Sequence, residues 1–467
     1  RNQPFIKQSL ILNRFNVVSL EGFKNQPRYH LWLIAIKGFK ERPILGWGQE
    51  NYKNIFFKYY HPALYNSEII SDKPHNTVLE WLTSGGLLGL LGYLSIYLTT
   101  LYYVWFSKKS NWQLTEKSLM TGLRIGYFIN GLFLFDNPAS YIIFFTFLAY
   151  IYSQTVKNYE EETQPKLTKA YHEKQQKKIN IVAIPVVLIV FLTIYFLNVK
   201  GIMAAANLSP AMFLNASDPS KNLEQFKKAL ENNSFGYEKI RQELAILAID
   251  VKDSQNINTA LKQNFFDLAL SEIKKQTKEM PLDAHNFYLQ GSLLYSYGEY
   301  EQALLFLEEA RKLSPKKQVI LLKIANVYIA QKNYKQAYDI TKETYELEPK
   351  YDTARIAYTK SAILFRNFKK ASKLLIERYG TDTIFLSEIL KAYAETQQYD
   401  KIITIYKKRI LEVPDDTQTR FSLSVAYLKT GDRQMAVKTL EDAIANDPNI
   451  KDTAKFLIKE IQDGKTL

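Results

Sequence analysis

The chain has 467 residues, a formal net charge of +14, 46% hydrophobic residues and no cysteine. That length exceeds one domain, so two or three units are expected, and the missing thiols exclude disulfides, thiolate metal sites and cysteine nucleophiles. The basic excess sits before residue 200, with 21 Lys and Arg against 12 Asp and Glu, while the remainder is near balance at 40 against 35. A basic excess beside long apolar runs suits anionic lipid or phosphate, and no nucleic-acid partner is expected.

The chain begins at Arg1 with neither an initiator methionine nor the pattern of a signal peptide, and it reads as the C-terminal portion of a longer protein. Residues 1–85 form the first segment. Tyr29 to Lys40 is helical in pattern and Pro43 stops it; its apolar residues fill more than one stripe between charged ends, as in a helix lying along a membrane surface. Arg28 then sits at headgroup depth. The "ILGWG" stretch, Ile44 to Gly48, is a glycine turn that lets the backbone pass close to something, and neither GxGxxG nor GxxxxGK[ST] accompanies it. His30 and His61 read as structural. Tyr52, Phe56, Tyr59 and Tyr60 suit either stacking on sugar rings or an interfacial aromatic belt, the more ordinary explanation. Glu68 and Asp72 flank a loop and solvate it.

"PHNTVLEWLTSGGLLG" closes the segment. Pro74 fixes the backbone before His75, and Asn76 is placed to cap the helix that follows. A lone loop histidine is as a rule an ordinary hydrogen-bonder. At a bilayer surface, however, a neutral imidazole can accept a proton from a hydroxyl, and Arg28 could hold a diphosphate in the same layer. The residues alone leave the choice open.

Four stretches are long and apolar enough to cross a hydrocarbon core about 30 Å thick: residues 86–106, 119–135, 137–156 and 179–199. The second carries Arg124, which must reach the headgroups or line a cavity. The connectors "SKKSNWQLTEK" and "KNYEEETQPKLTKAYHEKQQKK" are Lys-rich, which places them in the cytoplasm and places residues 1–85, the Asp136–Pro138 turn and everything after Lys200 outside. Gly85, Gly86 and Gly89 are expected to allow close helix packing below His75.

Residues 200–249 read as a linker and a degenerate helix pair, 250–450 as repeats and 451–467 as a terminal helix or tail. Pro281, Pro315 and Pro349 recur at 34 residues, as do Pro414 and Pro448, Tyr300 and Tyr334, and Ala303, Ala337 and Ala371. In "GSLLYSYGEYEQALLFLEEARKLSP" the small residues Gly291, Ala303 and Ala310 fall where two helices must approach closely. This resembles the tetratricopeptide repeat. Pro349 to Pro414 is three residues short of two periods, so a repeat near Thr353 to Asp382 is shortened. Stacked helix pairs produce a solenoid with a groove, expected to take a protein partner.

His75 and Asn76, followed after nine residues by Gly86-Leu-Leu-Gly89, resemble the histidine motif of the O-antigen ligase family. Arg28 and Trp32, followed by Pro43 to Gly48 with Gly46 and Gly48, are similar to that family's outer-loop pattern; Leu90 and Leu91 stand where ligases proper often carry threonines. The resemblance covers about residues 14–155. It implies an all-α chain: polytopic membrane helices of the GT-C type, N-terminally truncated, followed by a tetratricopeptide solenoid, in the cytoplasmic membrane of a bacterium. It implies a metal-independent glycosyltransferase without a cofactor that moves a glycan from a polyprenyl diphosphate carrier to an acceptor hydroxyl, on lipid, glycan or protein, at the outer face. His75 is then the base and Arg28 the diphosphate ligand, with Asn76, Gly86, Gly89, Trp32, Gly46 and Gly48 in support. A diphosphate leaves as a stable anion, so the chemistry asks for a base and for positive charge but no general acid. The rivals are a glycan polymerase or protein O-oligosaccharyltransferase of the same superfamily, and a non-catalytic membrane scaffold.

Overall fold

In a computed structural model, which describes residues 24, 26–67, 70–107, 112–163, 183–215, 218–232 and 234–464, every regular element is helical. Pro27, tolerated in a first turn because it needs no amide partner there, opens helix α1 (Pro27–Glu41). Leu31, Ile34, Ala35 and Gly38 form its buried face at helical spacing. The opposite face leaves Leu33 and Ile36 exposed. A short α2 (Tyr52–Lys58) packs on it so tightly that a Cβ on Gly38 would fall 2.4 Å from Ile55. Tyr52 donates to the Leu31 carbonyl at 2.7 Å across the pair.

The aromatic residues of this segment belong to its core. Tyr52, Phe56 and Tyr60 are buried against Leu31, Ile34 and Ala284, which corrects the expectation of an interfacial belt: the rings have protein on their faces. His61 accepts from the Ala63 amide and stacks on His30 with centroids 4.2 Å apart, a structural pairing. Glu68 lies outside the described residues.

Helix α3 runs from Thr77 to Trp105. It starts nine residues before the expected apolar span because the Asn76 side chain caps it, accepting from the Leu79 amide at 3.0 Å. Helices α4 (Leu114–Gly131) and α5 (Pro138–Thr163) follow. Next comes α6 (Ala183–Ile194), running through a π turn at Tyr195–Val199 into α7 (Lys200–Ala211). Each of the four expected apolar stretches is therefore helical over most of its described length. Among the described residues one helix, Thr77–Trp105, is long and apolar enough to cross a membrane by length and composition. The second Lys-rich connector lies mostly outside the described residues. Arg124 is buried, its guanidinium 4.1 Å from the Tyr97 ring and 4.5 Å from Phe144, beside a cavity of about 610 Å³ between α4 and α5.

The remaining helices pair. In the unit spanning Arg1–Lys317, α7 packs on α8 (Ser220–Glu231), α9 (Tyr237–Asp253) on α10 (Thr259–Glu279), and α11 (Ala284–Ser296) on α12 (Tyr300–Leu313). The stretch read as a linker thus contributes α7, half of a hairpin that Asn222 closes by donating to the Ala211 and Phe213 carbonyls. A Cβ on Gly291 would fall 2.6 Å from Leu307, and Ala303 and Ala310 are buried, as the repeat spacing requires.

The unit Gln318–Leu467 contains α13 (Gln318–Ala330), α14 (Tyr334–Leu347), α15 (Asp352–Leu364), α16 (Phe368–Tyr379), α17 (Ser387–Glu395), α18 (Tyr399–Glu412), α19 (Thr417–Thr430), α20 (Arg433–Asn446) and α21 (Lys451–Gln462). The shortening lands in α17, nine residues where its counterparts have 13 or 14, rather than near Thr353 to Asp382 as expected, because α15 in that stretch keeps its full 13 residues.

Candidate functional site

Two short segments make the site, and the helix start at Asn76 organises both. The Asn76 amide also donates to the Leu132 carbonyl at 2.9 Å, and Thr77 donates to Leu134 at 3.2 Å, so the entry to α3 is tied to the turn after α4. Immediately before it His75 adopts φ = 52°, a left-handed conformation that costs a non-glycine residue about 1–2 kcal/mol. Its half-buried ring lies 5.2 Å from Phe135. Lys73 spans the same turn, 3.3 Å from Glu80 and over the Phe135 ring. Burial works against its charge, but Glu80, Glu50 and Asp72 outweigh burial and hold its pKa above the ordinary lysine value.

Arg28, exposed in the first turn of α1, and His75 line one open cleft of about 500 Å³. Its walls are Leu31 and Phe56, with Asn66, Ser67 and Ser71 as polar edges. A cation, an imidazole and an apolar wall in one cleft can hold an anionic amphiphile beside a group able to take a proton. Trp32 does not line the cleft; it is half-buried, 6.3 Å from Phe133.

The glycines serve a second junction. Helix α3 breaks at Gly86 (φ 62°, ψ −158°). In an unbroken helix the Thr83 and Ser84 carbonyls would accept from Leu87 and Leu88. Instead they accept from Trp47 and Gly48, each at 2.8 Å, while Leu87 and Leu88 donate to Pro43 at 2.8 Å and to Ile44 at 3.3 Å. The "PILGWG" turn is thus inserted into the helix ladder. A Cβ on Gly86 would fall 2.3 Å from the Ile44 oxygen, and one on Gly46 2.5 Å from the Ser84 oxygen. Gly86 is therefore a point of loop insertion, whereas Gly89 is in ordinary contact with Trp81. Trp47 locks the turn by donating to Gly38 at 2.8 Å, under the Arg42 guanidinium.

The residue pattern of the O-antigen ligase family matches residues 5–94, and tetratricopeptide patterns match residues 294–344 and 419–452. The chain thus joins a segment that matches the O-antigen ligase family to tetratricopeptide repeats. An O-antigen ligase of Pseudomonas aeruginosa is 31% identical over 94 residues, which is 20% of this chain and 21% of the relative, so the chain spans about a fifth of that curated relative. Among solved structures, a tetratricopeptide repeat protein from Parabacteroides merdae aligns with 56% of this chain and 99% of its own at 17% identity and a TM-score of 0.39. The tetratricopeptide protein YrrB, described as having an unusual peptide-binding site, aligns with 40% of this chain and 97% of its own at 21% identity and a TM-score of 0.28.

The cleft, the capped helix start and the Gly46–Gly86 junction all fall within the O-antigen ligase segment. Motif reading did not find Ser67 or Ser71, and it named Phe56 only among four aromatics that could stack on sugar rings, because no local pattern separates a cleft wall from a buried ring.

Proposed function

We propose that this protein transfers a glycan from a polyprenyl diphosphate carrier to an acceptor hydroxyl at the outer face of a bacterial cytoplasmic membrane. In the step, the acceptor oxygen attacks the anomeric carbon as the bond from that carbon to the diphosphate breaks. His75 takes the hydroxyl proton, Arg28 neutralises charge growing on the departing diphosphate, and the carrier's activated bond supplies the driving force. The observation that carries this reading is the single cleft shared by Arg28 and His75 within the ligase segment.

The polytopic arrangement is part of the same proposal. Apolar side chains point outward on α3, α4, α5 and α6, among them Leu98, Leu123, Ile142 and Phe191, as helices surrounded by lipid require. Four crossings return the chain to its starting side, which puts the cleft and the repeats together outside. A bond from Ser314 to the Phe57 carbonyl and an ion pair from Lys53 to Asp283 support that parity, since both need loop and repeats in one compartment. The repeats, in keeping with tetratricopeptide domains at large, recruit a protein partner.

The test is glycan transfer in membranes carrying wild type, His75→Ala or Arg28→Ala at equal levels of inserted protein. Each variant should lose at least about a hundredfold in rate. Unchanged transfer in both would favour the scaffold.

A further inference from the structure

Three rings of the outer loop surround one lysine from the repeat region. The Lys317 Nζ lies 4.2 Å from the Tyr60 centroid, 5.0 Å from Phe56 and 5.4 Å from Phe57. The residue is 4% exposed, and burial pushes its pKa down to about 7. No carboxylate is paired with it among the described residues, and burial is the cause of its lowered pKa; His285, at the start of α11, feels the charge of Lys317 together with those of Asp283, Lys53 and Lys239. Asp283 is engaged by Lys53 at 3.0 Å.

A buried lysine without a counter-ion costs stability, so packing alone would favour an apolar side chain at this position. The junction around it is otherwise complete. Ser314 donates to the Phe57 carbonyl at 2.7 Å, and Leu313 and Ala284 pack into the loop's aromatic core. What the ammonium adds is attraction toward ring faces. One of those rings, Phe56, is also a wall of the cleft that holds Arg28 and His75.

We propose that Lys317 is a positioning residue for glycan transfer: the repeat region holds the cleft wall in place by gripping Phe56 through its ring face. The inference rests on the transfer reading above. It gives the first repeats a role in building the site, separate from any partner recruited by the later ones.

The test uses the full chain in lipid discs at about pH 6, where Lys317 is charged, titrated with farnesyl diphosphate as a short prenyl diphosphate, with thermal unfolding recorded in parallel. Lys317→Met should bind the probe about tenfold more weakly and unfold no earlier than wild type. Lys317→Arg, which keeps a cation that stacks on rings, should bind within about threefold of wild type, as should Ser314→Ala, which leaves the cation in place. The proposal is overturned by unchanged affinity in Lys317→Met, by its earlier unfolding, or by equal losses in Lys317→Arg or Ser314→Ala. In each of those cases loss of binding in Arg28→Ala leaves the transfer reading standing. Unchanged binding in Arg28→Ala overturns both.

Discussion

His75 stands in a conformation that its side chain disfavours, between a proline and a capping asparagine that hold it there. In the proposed reading this strain is retained because it sets the ring in the cleft. His75→Gly should therefore unfold no earlier than wild type. Relief of about 1–2 kcal/mol of left-handed strain meets or exceeds the glycine's entropic cost of about 0.5–1 kcal/mol. Transfer should still fall about a hundredfold or more, as in His75→Ala. Calorimetry beside the transfer assay checks both halves, and a large drop in unfolding temperature would mean that the ring itself holds the turn. The sequence made the Pro74–His75–Asn76 arrangement readable because caps and prolines act locally. It could not reveal Phe56 as a cleft wall or Lys317 as its neighbour: residues 57 and 314 are 257 positions apart, and no periodicity links them.

The repeats carry a second strained series. Left-handed residues occur at Gly298, Lys332, Arg366, Gln397 and Gly431, each at the turn between paired helices. The residue after each of the five donates back to the carbonyl five positions earlier, as Asn333 does to Tyr328 at 2.8 Å and Gln398 to Tyr393 at 2.8 Å. Glycine fits at either end of the series, whereas Lys332, Arg366 and Gln397 bear Cβ strain. Replacing each of these three by glycine should stabilise Gln318–Leu467 by about 0.5–1 kcal/mol, read as a shift in the urea midpoint at constant slope. The 34-residue period was legible from prolines and alanines alone. The three-residue deficit was legible as a number, but the proline spacing put it near Thr353 to Asp382, ahead of the helix that is cut short. The turn residues locate it between Arg366 and Gln397, where helix α17 is cut short.

At the level of the whole chain, the division into an apolar first part and a repetitive second part was plain from composition. That the early repeats pack against the segment before helix α3 was not, because packing across such a distance leaves no local trace. This junction should respond to pH. Burial holds His285 near 4 against an ordinary 6.5, and Lys317 near 7 against 10.5. Both groups bind fewer protons folded than unfolded, so stability rises with pH between those pairs of values. The penalty is full below each folded value and is gone above each unfolded one. Thermal unfolding followed by circular dichroism should move to higher temperature from pH 7 to pH 9, and Lys317→Met should flatten that slope. A wild-type midpoint that falls across this range would contradict the assignment.

The ladder exchange at Gly86 also constrains assembly. In the proposed membrane setting, the break in helix α3 leaves two acceptors and two donors that only the 43–48 turn satisfies. Groups so exposed cost several kcal/mol in hydrocarbon, so the break is tolerable near the bilayer only once the turn is seated. A chain synthesised from its N-terminus has that turn waiting before the helix emerges. The order of the two segments along the chain is thus also the order in which each can be completed.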